Sequence, residues 1–239
     1  MFLIFIFFGL APSIIWLFFY LRKDSHPESN RMIIKVFFYG MISALAAAFV
    51  EIGIFNIFAA IGALQIEKYQ FLFFLFYNFI GIAAVEEFLK YFVVRQSVLG
   101  NSELDEPTDI MLYMIIAALG FAALENIFIL FPRENFFLID TITVSALRFI
   151  GATFLHALCS GTVGYFLAKS IELRKNGRLL ALGLMIASFL HGLYNLSIIE
   201  VENNSLFVIL TIAIITGLAL FVSYGFRKLK TIKSTCKIK

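Results

Sequence analysis

Seven apolar stretches, at about 2–21, 32–64, 70–97, 109–131, 141–168, 179–199 and 206–226, decide the fold class of this chain before any other feature is weighed. Each reaches the ~20 residues a helix needs to cross the ~30 Å hydrocarbon core of a bilayer. Inside that core every backbone N–H and C=O must be paired within the protein, which leaves helices as the solution for single apolar segments. The expectation is an all-α, polytopic membrane helix bundle of about seven transmembrane helices. Composition agrees: 61% of the 239 residues are hydrophobic and 15% charged, against about half and about a quarter in a soluble domain. No long polar segment lies outside the spans, so residues 1–239 read as one integral membrane domain.

The second window is too long for one upright helix, and Glu51, Gly53 and Asn56 mark where it tilts, breaks or ends. The first span has no basic residue before it and is followed by Arg22 and Lys23, the reverse of a secretory signal. It reads as a retained helix with its N-terminus outside. That orientation puts 22–31, 95–108, 169–178 and the tail from Arg227 inside, and these segments hold most of the Lys and Arg. The outer connections hold only Lys68 and Arg133. Basic residues accumulate on the cytoplasmic side, so the expected topology is N-terminus outside, C-terminus cytoplasmic. The basic tail is expected to rest on anionic lipid headgroups. A net charge of +3 placed at helix ends gives no nucleic-acid surface. Cys159 and Cys236 are far apart and in different surroundings, which argues against a disulfide.

Ionisable groups inside spans are costly and tend to be functional. Here they fall on four successive helices. The third span carries Glu86, Glu87 and Lys90; the fourth Glu125 and Asn126; the fifth Arg148 and His156; the sixth His191 and Asn195. At 1.5 Å per residue, His156 (about 15 residues below the outer end) and His191 (about 12 above the inner end) both fall near the middle of a ~30 Å core. Glu86 and Glu87 reach a similar level, with Glu125 and Asn195 about one turn nearer the outside. One water-accessible cavity shared by these residues explains all four exceptions. His191 and Asn195 share a helix face, as do Glu86 and Lys90. Adjacent glutamates point about 100° apart, so one should face the cavity while Lys90 or a neighbouring helix holds the other. Lys90 and Asn126 are read as structural support. Glu51 and Arg148 fall in no motif and are read as an ion pair or as helix-end groups.

A carboxylate in such a pocket can take a proton from water, and His and Asn side chains can polarise a carbonyl and stabilise the oxyanion. These parts make a peptide-bond hydrolase, with Glu86, Glu87, Glu125, His156, His191 and Asn195 as the catalytic set. The same groups could instead hold a catalytic zinc ion with an open position for water, with His156, His191 and Glu125 as candidate ligands. The other function class is a proton relay or proton-coupled transporter built from the same Glu and His residues. A relay strings its groups along the membrane normal, whereas a hydrolase gathers them at one depth.

The ordered set "EEFLK" (86–90), "GFAALEN" (120–126), "FLHALCSG" (154–161) and "HGLYN" (191–195) resembles the PrsW family of intramembrane proteases, relatives of the CAAX-type prenyl endopeptidases. The likeness covers about residues 80–200, within a motif-bearing core of about 70–200. It implies cleavage of a membrane-embedded protein substrate, such as an anti-sigma factor already trimmed outside, by a multi-pass protein of a bacterial cell membrane. By the same resemblance Glu86 and Glu87 match the glutamate pair, Glu125, His156 and His191 the later polar positions, and Asn195 the Asn after the last His of the CAAX-type relatives. Prenyl-processing relatives carry Arg where this chain has Lys90, and His where it has Glu125, which argues against a prenylated substrate.

Overall fold

The computed structural model describes residues 2–23, 27–62, 66–101, 104–131, 138–173 and 177–232. Arg133, Arg174, Lys175, Cys236 and the lysines from Lys233 onward, which carry part of the charge argument, lie outside the described residues. The elements are α1 (Phe2–Leu21), α2 (Asn30–Ala60), α3 (Glu67–Phe76), a π-helical segment (Tyr77–Ala84), α4 (Val85–Ser97), α5 (Pro107–Leu130), α6 (Leu138–Ile150), α7 (Ala152–Glu172), α8 (Arg178–Glu200) and α9 (Leu206–Lys230). No strand occurs among the described residues. Seven of the helical stretches are long and apolar enough to cross a membrane.

The structure narrows the reading of one window and differs from that of another. The second window does not break: α2 continues through Glu51, Gly53 and Asn56 as one helix of 31 residues, about 46 Å long at 1.5 Å per residue. Nothing at Gly53 forces a break, because helix hydrogen bonding tolerates a single Gly at a cost of about 1 kcal/mol. The fifth window does break. It is two helices, α6 and α7, hinged at Gly151, whose φ of −103° and ψ of −101° leave the helical region. A Cβ on Gly151 would meet the Tyr194 hydroxyl at 2.6 Å and the Leu147 carbonyl oxygen at 2.9 Å, so no larger residue fits the hinge as built.

Helix α5 is the centre of the bundle. Its residues from Thr108 to Ala123 are all buried, and it packs against α1, α2 and α7. Its start is fixed by Pro107 at the first helical position and by the Asp109 carboxylate, which accepts from the backbone N–H of Glu106 at 2.7 Å. Such capping satisfies donors that the first helical turn leaves open. A Cβ on Gly120 would fall 2.0 Å from the Phe37 carbonyl oxygen, and one on Gly40 would fall 2.1 Å from that of Ala117. The two glycines thus let α2 and α5 touch backbone to backbone, the close approach that small residues permit between membrane helices.

The π-helical segment sits just before the glutamate pair, where wide turns are often associated with functional sites. Asn78 within it donates from Nδ2 to the Gly192 carbonyl oxygen of α8 at 2.8 Å. That bond fastens the segment to the helix that carries His191. The Phe-rich runs at 2–8 and 71–79 are exposed only in part: Phe7 and Phe71 are exposed, whereas Phe5 and Phe73 are buried.

Candidate active site

The glutamate pair divides its duties. Glu87 is completely buried. Its Oε1 accepts from Lys90 Nζ at 2.9 Å and meets His191 Nδ1 at 3.1 Å, while its Oε2 accepts from Ser160 Oγ at 2.8 Å. Glu86, about 100° further round α4, lines a cavity of about 950 Å³ that Glu125, His156, His191 and Asn195 also line. The six residues taken from the sequence as a catalytic set therefore meet: five on the cavity and Glu87 immediately behind it.

Lys90 is the hub. Its Nζ lies 3.1 Å from Glu86 Oε2, 2.9 Å from Glu87 Oε1 and 2.7 Å from His156 Nδ1, and 4.2 Å from the centroid of the Phe121 ring. The side chain has no exposure at all. A buried ammonium is tolerable when paired and hydrogen-bonded in this way.

Hydrogen-bond partners orient both imidazoles. Lys90 donates to His156 Nδ1, so His156 Nε2 carries the proton and donates to Glu125 Oε2 at 2.8 Å. His191 Nδ1 donates to Glu87, and its Nε2 lies 3.9 Å from Glu86 Oε2. His156 Nδ1 is 3.7 Å from the same oxygen, and the two rings meet edge to face at 4.9 Å. Two ring nitrogens and one carboxylate oxygen thus face one another, and each imidazole is backed by a second carboxylate.

These residues fit a divalent metal in donor type. The ligating atoms of Glu86, His156 and His191 all lie within 4.8 Å of one another, and two His with one carboxylate is a known catalytic zinc set with an open position for water. Glu125 and Glu87 occupy the outer positions from which carboxylates orient metal-bound histidines. The ligand trio differs from the sequence expectation in its carboxylate: Glu86 joins the imidazoles, and Glu125 lies on the far nitrogen of His156. Lys90 Nζ engages two of the three donors, so an ion there and the ammonium in this position exclude each other.

Sequence reasoning missed two residues of this wall. Arg148 does not pair with Glu51. Its Nη2 lies 2.8 Å from Glu125 Oε2, an ion pair by distance without hydrogen-bond alignment. Its Nε donates to Asn126 Oδ1. Asn126 in turn donates to Thr153 Oγ1 at 3.0 Å and to the Gly9 carbonyl oxygen at 3.3 Å, which ties α5 to α7 and α1. Glu51 lines the cavity on the α2 side, with Tyr77 donating to its backbone oxygen at 3.4 Å. The usable signal for Arg148 was its place in a hydrophobic span: a guanidinium there requires an acid, and Glu125 was the acid expected near its depth.

A cavity inside a bundle of membrane-spanning helices, edged by a carboxylate and two imidazoles, has the make-up that a membrane-embedded hydrolase requires. The comparisons with known proteins carry this from class to family. The family described as "PrsW family intramembrane metalloprotease" matches residues 28–223, and the chain belongs to it. The "Protease PrsW" of Geobacillus kaustophilus is 29% identical over 189 residues, 78% of this chain and 76% of the relative. That of Bacillus subtilis is 28% identical over 200 residues, 82% and 83% of the two chains. That of Clostridioides difficile is 25% identical over 213 residues, 87% and 84%. No solved structure matches the chain. The protein is a multi-pass membrane protease.

Proposed function

We propose that this protease hydrolyses a peptide bond of a membrane-embedded protein at the trio Glu86, His156 and His191. The observation that carries the reading is the meeting of these three at the cavity edge, each imidazole held from behind by its own carboxylate. Glu86 takes the proton from the attacking water as general base. Asn195, one turn beyond His191 on the same helix face, lines the cavity and has no side-chain partner among the described residues. It is the donor available to the carbonyl oxygen of the scissile bond. Glu87 and Glu125 act through the imidazoles they orient, and Lys90 holds the glutamate pair. With Lys90 Nζ withdrawn from Glu86 and His156, a divalent ion held by Glu86, His156 and His191 would supply Lewis-acid polarisation of water and carbonyl.

A membrane-embedded substrate needs a route through the side of the bundle. The cavity lies between α6, which packs against α1, α5 and α7, and α9, which packs against α5, α7 and α8. Its walls there are apolar, with Leu147 and Ile150 on one side and Val208, Ile212 and Ile215 on the other. Such walls suit the side chains of a substrate helix arriving from the bilayer. The polar groups are gathered in one cluster, which favours hydrolysis over a proton relay. The test is cleavage of a membrane-spanning peptide by purified protein in liposomes. Wild type should cleave, Glu86→Gln should not, and proton flux across the same liposomes should be absent in both. Flux abolished by Glu86→Gln with no cleavage in either would establish the relay.

A further inference from the structure

A second cleft, about 590 Å³, lies away from the active site between α1 and α9, with Phe149 and Phe154 beside it. Its volume is in the ~300–1,000 Å³ range of small-molecule and cofactor sites. Its floor is aromatic and fixed. Trp16 stacks on Phe154 at 3.9 Å and on Phe149 at 5.2 Å between centroids, and its indole N–H donates to the Phe149 carbonyl oxygen at 2.8 Å.

The two ends of the cleft differ in chemistry. Lys23, Arg227 and Lys230 line one end, where α1 and α9 both finish. There the helices meet: Lys230 Nζ donates to the Lys23 carbonyl oxygen at 2.5 Å, and Tyr20 and Phe226 stack at 6.2 Å. Lys23 and Arg227 have no carboxylate partner among the described residues. From the cations inward the lining is apolar and aromatic except for Ser223. From Ala219 to Lys230 the cleft follows α9 for about 17 Å at 1.5 Å per residue, close to half of a ~30 Å hydrocarbon core. One leaflet is also the length over which a phospholipid runs from headgroup to chain end.

We propose that this cleft is a binding site for one anionic glycerophospholipid, with its phosphate held by Lys23, Arg227 and Lys230 and an acyl chain lying over Trp16 and Phe154. Headgroup charge gives the selectivity and the aromatic floor holds the chain. Arg227 and Lys230, at the start of the basic tail, belong to the site. The floor residues Phe149 and Phe154 flank the Gly151 hinge, so a bound chain would brace the junction that sets Arg148 and His156.

Native mass spectrometry of the purified full chain tests this, with phosphatidylglycerol or phosphatidylcholine supplied in the micelles. One phosphatidylglycerol per chain should survive delipidating detergent. At about fivefold per cation, phosphatidylglycerol should bind about a hundredfold more tightly than phosphatidylcholine. The triple variant Lys23→Gln, Arg227→Gln, Lys230→Gln should lose that preference. Ser223→Trp should fill the cleft from its exposed wall and lower retention with all cations in place. Both variants are to keep the size-exclusion profile and thermal transition of wild type. Neutralising Lys233, Lys237 and Lys239 should leave retention unchanged, and millimolar inorganic phosphate should not displace the lipid. Equal retention of the two lipids would overturn the proposal. So would loss of retention on neutralising Lys233, Lys237 and Lys239, or displacement by inorganic phosphate, or retention untouched by both cleft variants.

Discussion

The Nζ of Lys90 lies 2.7 Å from Nδ1 of His156. The contact fixes the tautomer of His156 and thereby the direction of its bond to Glu125. One residue thus serves three partners from a position with no solvent. Lys90→Met should leave two carboxylates facing each other and cost about 3–5 kcal/mol, the usual penalty for removing one partner of a buried ion pair. Thermal unfolding in micelles measures it. A variant that melts with wild type would show that the ammonium adds no net stability.

The two glutamates should respond differently to the same change. Glu86→Gln should keep the fold and lower cleavage by a factor of about 10²–10⁴, the usual contribution of a positioned general base. Glu87→Gln should act through His191 and Lys90, with a loss of about 10–100-fold typical of carboxylates behind a histidine. It should also lower the thermal transition. Unchanged cleavage rates in both variants would remove the site from the mechanism.

Chelation addresses the trio of donors directly. Dialysis of the liposome-reconstituted protein against a zinc chelator is expected to suppress cleavage, and added zinc to restore it. Elemental analysis should find about one equivalent in wild type and much less in His156→Ala or His191→Ala. A wild type that cleaves at full rate after chelation would assign the water to Glu86 alone.

Gly120→Ala probes the α2–α5 contact. A methyl group there lies 2.0 Å from the Phe37 carbonyl oxygen, and backbone cannot step aside as a flexible side chain can. The helices must separate, at a cost of about 1–3 kcal/mol for overpacking. Thermal unfolding should register the shift, and a neutral result would mean the helices part freely.

Topology rests on the Lys and Arg asymmetry. In intact cells an impermeant thiol reagent should label a Glu134→Cys variant and leave the native Cys236 unlabelled. Labelling of Cys236 from outside would reverse the orientation of the bundle.

The gathering of the site was legible in the sequence because polar residues in apolar spans are few, and depth can be counted along a helix. Glu86, His156 and His191 could be set at one level, and Glu125 within about a turn of it, without knowing any contact. What lay beyond such counting is azimuth and interruption. Hydropathy has no phase, so it could not say that Glu86 rather than Glu87 meets the cavity. It also read 141–168 as one helix, because Gly151 sits in an apolar run and its hinge depends on the Tyr194 hydroxyl packed against it. Once α6 turns there, Arg148 reaches Glu125 instead of Glu51. For the α2 window a tilt, a break and an end were all open; the helix runs unbroken past Glu51, which lines the cavity.

The π-helical turns at Tyr77–Ala84 take up length without turning the helix as far as α geometry would. They therefore form a place where the chain can lose a residue and keep its aim: if the wide turns closed to α geometry after a single deletion, Glu86 and Glu87 would still face the imidazoles. A residue lost between Glu87 and Lys90 has no such slack and would turn the ammonium away from the pair by about 100°. Length is thus a tolerated variable just before the glutamates and a forbidden one just after them.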